Sequence, residues 1–206
     1  MIELFISAFV TFFVVIDPPG CAPIFASLTS GAPTTHRRAM AIRSVVVASS
    51  ILYVFAIFGE VFLGALGVSL DAFRVAGGIM LFLIALDMVF EKRTERRESR
   101  AQDVMAQEPD DISIFPMGIP MIAGPGSIAS AMLLTSRAKG LPESLTVLGA
   151  LAAVLLLTML CLLIAGPLMK LLGYRLEAMI TRVLGVILAA LAAQFVIDGI
   201  KASFSV

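Results

Sequence analysis

Read for polarity alone, the chain is a series of long apolar runs separated by short charged ones. Residues 144–169 pass without a charge for 26 positions, and residues 112–136 for 25. Crossing roughly 30 Å of hydrocarbon takes about 20 helical residues, so each run is long enough to span a membrane. Four further runs qualify with isolated charges inside them. Residues 2–30 hold Glu3 and Asp17, 42–66 hold Arg43 and Glu60, 72–90 hold Arg74 and Asp87, and 178–200 hold Arg182 and Asp198. The runs are continuous rather than alternating, which predicts helices and not the strands of a membrane barrel. The expected fold is an all-α membrane protein with six transmembrane helices.

Composition narrows the function classes. The chain is 59% hydrophobic and 15% charged, against about 25% charged in soluble domains, and its mean hydropathy is +1.01. A soluble enzyme, a secreted disulfide scaffold and a disordered chain are all excluded by that much apolar mass. No nucleic-acid partner is expected; the 15 basic and 15 acidic residues cancel, so the net charge itself says nothing on that point. Their placement carries more. Arg37, Arg38, Arg43, Lys92, Arg93, Arg96, Arg97, Arg100, Lys170, Arg175 and Arg182 fall on one side of the six spans; Arg74, Arg137, Lys139 and Lys201 fall on the other. The positive-inside rule makes the first side cytoplasmic and sends both termini outward. Residues 91–111 are then expected as a charged, solvated cytoplasmic linker between residues 1–90 and 112–206. The early charge is Glu3 and no A-x-A site follows, so the first run does not read as a cleaved signal peptide.

An internal repeat adds the most. IDPPGCAPIFASLTS (residues 16–30) aligns without a gap on IAGPGSIASAMLLTS (residues 122–136), sharing six of fifteen positions, among them Pro19/Pro125 and Gly20/Gly126. The same offset pairs LGVSLDA with LGYRLEA, and a two-residue slip pairs RVAGGIMLFLIA with RVLGVILAALAA. Each copy holds three spans. An odd number predicts that the second copy enters from the opposite side, giving two inverted three-helix repeats.

The Pro-Gly pairs fall deep within the first and fourth spans. Proline removes a backbone donor and glycine lets the chain leave helical geometry, so both helices are expected to be discontinuous there. In lipid, broken backbone is tolerated only where protein or a wet cavity receives it. The resumed half-helices would present N–H groups suited to a carboxylate, and the interrupted ones carbonyls suited to a cation. The expected binding residues are Asp17, Pro19, Gly20 and Cys21 in the first copy, with Gly124, Gly126 and Ser127 in the second. Asp17 has two open roles: capping the half-helix that follows, or holding a proton or a charged partner. A zwitterion, with its ammonium near Asp17, suits this set of groups.

These residues also resemble a known family. IDPPGCAPIFASLT is similar to the first signature of the MarC family, also called the neutral amino acid transporter family, with Cys21 at its usual Asn and Pro18 at a usual apolar residue. FPMGIPMIAGPGSI (residues 115–128) resembles the second signature, and the likeness in length, spans and linker covers the whole chain. The resemblance implies a multi-pass protein of the bacterial inner membrane with two discontinuous helices. For members with an assigned substrate, it implies transport of small neutral amino acids such as glycine or alanine.

The remaining polar residues have plainer readings. Glu60 and Asp87 sit near span ends, where snorkelling competes with coupling or gating; Gln194 and Asp198 read the same way. Cys21 and Cys161 fall inside spans and read as packing residues. Gly185, Ala189 and Ala193 read as a close helix-packing face. No hydrolase, P-loop or metal motif occurs, so neither an enzyme nor a metal or organic cofactor is expected. The expected function is a secondary transporter working by alternating access, with H⁺ or Na⁺ as candidate coupling ion, a small-molecule substrate and membrane lipid as partners. A channel or a non-transporting scaffold stands as the alternative. A homodimer is compatible with six helices that enclose little volume.

Overall fold

The computed structural model describes residues 1–106 and 111–204, apart from the side chains of 170–175 and 177. The described residues are mostly helical, with no strand among them. The elements are α1 (Ile2–Ile16), α2 (Pro18–Leu28), α3 (Thr34–Ala65), α4 (Leu70–Val89) and α5 (Lys92–Met105). A proline-interrupted segment, Ser113–Ile122, then leads into α6 (Pro125–Thr135), α7 (Leu141–Leu163) and α8 (Ala165–Phe204). Five stretches are long and apolar enough to cross a membrane: Ile2–Leu28, Thr34–Ala65, Leu70–Val89, Leu141–Leu163 and Ala178–Phe204. The pair Ser113–Ile122 and Pro125–Thr135, bent by 53°, makes six if counted as one span.

The first span lies inside the others. Of its most apolar stretch 56% is buried, against 28–39% in the other four, and Phe12, Val14, Val15 and Ile16 are almost wholly enclosed. The outer helices turn Val54, Phe58 and Val61 of α3, Leu83 of α4 and Leu156 and Leu160 of α7 outward. An exposed apolar surface of this extent is stable only against lipid.

Three sequence expectations shift. The fifth span ends at Leu163 rather than Met169, and α8 starts at Ala165. Pro167 lacks an N–H, which is tolerated in the first turn of a new helix but not within a continuing one. The small-residue face of α8 is rotated from the expected one: Ala193 is exposed, while Gly185, Ala192 and Gly199 meet α4. A Cβ on Gly185 would lie 2.8 Å from Cβ of Met88, and one on Gly199 would lie 2.9 Å from the carbonyl of Asp71. Contacts seven residues apart follow a long, nearly parallel or antiparallel seam better than a four-residue spacing does. Third, Asp198 does not merely snorkel. It pairs with Arg137 at 2.6 Å and accepts from Gln194, and the guanidinium of Arg137 stacks over Phe195.

Candidate functional site

The sequence Asp17-Pro18-Pro19-Gly20 dictates the first break atom by atom. In an uninterrupted helix the carbonyls of Val14, Val15 and Ile16 would accept from the N–H groups four residues on. Pro18 and Pro19 have none, and the N–H of Gly20 donates instead to Oδ1 of Asp17 at 3.2 Å. Asp17 itself takes the left-handed conformation (φ 59°, ψ 66°), ending α1 and capping α2. A side chain on Gly20 would stand 2.2 Å from that carboxylate, so only glycine fits.

Two of these three carbonyls are completed by residues 78 and 81 positions away. Nη2 of Arg93 donates to the carbonyl of Val15 at 2.6 Å, and Nη2 of Arg97 to that of Ile16 at 3.4 Å. Nη1 of Arg97 pairs with Oδ2 of Asp17 at 2.9 Å, both side chains being buried. The Cys21 thiol also donates to Ile16 at 3.5 Å.

Both arginines come from the segment expected as a solvated linker. Its residues 92–105 form α5 instead, with Arg97, Ala101 and Val104 buried; residues 107–110 lie outside the described residues. Spacings of three and four put Arg93, Arg96, Arg97 and Arg100 on one side of this helix, Arg97 buried, Arg93 half-buried and Arg96 and Arg100 exposed. That spacing was the available signal for these four functional candidates, and a reading of the segment as an undifferentiated charge run passes over it.

The second break is built differently. Phe115 and Ile119 are extended, each preceding a proline that disfavours helical geometry before it. Gly124 is the N-cap of α6 and has no side chain to cap it with, and Ala123 stands where the first copy has Asp17. The carbonyl of Gly124 takes the N–H of Ile128, whereas the N–H groups of Gly126 and Ser127 and the Ser127 hydroxyl have no hydrogen-bond partner among the described residues. The two breaks touch: a Cβ on Gly126 would lie 3.2 Å from Cγ1 of Val15, at the end of α1, and 2.5 Å from Ile84.

A cavity of about 450 Å³ opens beside the second break, within the size range of small-ligand sites. Gly124, Pro125, Gly126 and Ser127 line one side and Arg93, Arg96, Arg97 and Arg100 another. Val15, Met80, Leu83 and Ile84 supply apolar walls, with Asp87 at the margin. Burial and the nearby Arg97 charge push the Arg93 guanidinium down to about 10, against the opposing pull of Asp17 and Asp87.

Of the residues expected at a site, Gly124, Gly126 and Ser127 line this cavity. Asp17, Gly20 and Cys21 lie buried behind Arg97, and Pro19 is half-buried outside the lining. Asp87 pairs with Arg96. Glu60 is exposed on α3, away from the cavity. Among the described residues no group of His, Cys, Asp and Glu could hold a metal ion.

The profile described as MarC family integral membrane protein matches residues 2–204. A UPF0056 membrane protein of Methanocaldococcus jannaschii is 38% identical over 200 residues, 97% of each chain. The UPF0056 membrane protein YvbG of Bacillus subtilis is 33% identical over 207 residues, covering 100% of this chain and 98% of that one. YhcE of Escherichia coli, also described as a UPF0056 membrane protein, is 29% identical over 199 residues, 95% and 91% of the two chains. No solved structure matches.

Proposed function

The chain belongs to the MarC family of integral membrane proteins, and from that premise we propose that it is a secondary transporter of small neutral amino acids, glycine- or alanine-like. The observation that carries this reading is the cavity at the second break, where bare N–H groups of Gly126 and Ser127 face a space large enough for such a solute. Two inverted three-helix repeats, inferred from the duplicated sequence, would rock about the paired breaks and expose the cavity to either side in turn. The substrate carboxylate sits at the start of α6. Asp17, Pro19, Gly20 and Cys21 shape the wall behind it. Asp87, at the cavity margin, is better placed than Glu60 to sense an ammonium or to couple H⁺ or Na⁺. Charge asymmetry supports an inner-membrane orientation with both termini outside and α5 in the cytoplasm.

Reconstitution tests it. Purified protein in proteoliposomes should take up labelled alanine or glycine saturably, driven by a proton or sodium gradient, and Ser127→Ala should reduce the rate several-fold. Conductance without saturation would replace the transporter by a pore, and no flux under any gradient would point to a scaffold.

A further inference from the structure

Four arginines and two carboxylates meet at the breaks. Asp17 is committed to Arg97 and Asp87 to Arg96, and among the described residues no carboxylate pairs with Arg93 or Arg100. Two cations that line the cavity, the half-buried Arg93 and the exposed Arg100, are thus left without a carboxylate partner among the described residues. A zwitterion brings no net charge to balance them.

Three further features point the same way. Ser127 is 3% exposed as a residue and lines the cavity, and its hydroxyl has no partner among the described residues. Beside it, the start of α6 offers the uncapped N–H groups of Gly126 and Ser127, a place where the helix favours negative charge. Burial first, and the neighbouring Arg97 second, hold the Arg93 guanidinium below its usual range. The cavity also reaches the lipid-facing surface, because Met80 and Leu83 of α4 are exposed there and still line it.

We propose that this cavity binds a phosphate group, held between the arginine side of α5 and the uncapped start of α6. A phosphate monoester carries close to two negative charges near neutral pH and presents oxygens for guanidinium forks, two N–H groups and one hydroxyl together. Met80, Leu83 and Ile84 offer an apolar surface to whatever the phosphate is attached to, so the group can arrive on a lipid or free in water. The proposal rests on the transport reading only in taking the cavity as a ligand site, and requires no flux.

Calorimetric titration of the purified protein in uncharged detergent micelles tests it, with three probes: inorganic phosphate, lysophosphatidate carried in the micelles, and glycine. The expected result is saturable binding of at least one phosphate probe. That binding should be roughly tenfold weaker in Ser127→Ala and again in Arg100→Gln, the loss of one charge-assisted contact each. Neither side chain holds a hydrogen bond that the fold needs, and an unchanged melting temperature for both variants verifies this. Saturation by inorganic phosphate identifies a free anion, and saturation by lysophosphatidate alone a lipid headgroup; either supports the site. Binding of glycine alone, phosphate binding indifferent to both variants, or no binding of any probe overturns it. Phosphate binding without amino-acid uptake leaves this site standing while the transport reading falls; amino-acid uptake without phosphate binding does the reverse.

Discussion

Asp17 is a buried carboxylate whose two oxygens do different things. Oδ1 caps α2 and Oδ2 neutralises Arg97, which in turn completes a carbonyl of α1. The capping role read from the sequence is present, and beside it stands an ion pair within the chain that the sequence did not suggest. Asp17→Asn separates them, because Asn caps helices about as well as Asp but removes the charge that the buried Arg97 pairs with. Breaking a buried pair from one side costs about 3–5 kcal/mol. Asp17→Asn and Arg97→Gln should therefore each lower the apparent melting temperature in detergent sharply, while the double variant recovers most of the loss. Additive losses in the double variant would mean that the pair contributes nothing as a pair.

At the scale of elements, α5 is where the sequence was hardest to read. The spans were legible because lipid demands unbroken apolar runs, and the interruptions because proline and glycine remove hydrogen bonds wherever they stand. A helix that docks through guanidinium groups shows no such signature: Ala101 and Val104 are its only buried apolar residues. Its attachment depends on carbonyls exposed by a break in another helix, a long-range fact that no local pattern records. The cavity was legible only in half, through Gly124, Gly126 and Ser127, while the arginine wall facing them was hidden in a charged run. Ala101→Glu puts a charge on the buried side of α5 and should loosen it. Hydrogen exchange would then speed up along residues 92–105 and at the end of α1, with α7 unaffected. Unchanged protection in α5 would show that it is held by something other than this face.

For the whole molecule, the lipid-facing apolar surface and the lopsided distribution of basic residues together set how the chain sits in a bilayer. With Cys21 and Cys161 replaced by Ala, a single cysteine introduced at Ile2 or at Phe204 should react with an impermeant maleimide in spheroplasts before lysis, and one at Arg38 only afterwards. The opposite pattern would invert the assignment and place α5 outside. The dependence of α1 on Arg93 and Arg97 also has a consequence for how such a protein is made. Helix α1 leaves the ribosome well before the guanidinium groups that finish it, and a bilayer offers its bare carbonyls nothing in the meantime. Nascent α1 must therefore wait in a wet or proteinaceous shelter, and its final seating is a late event of biogenesis rather than the first.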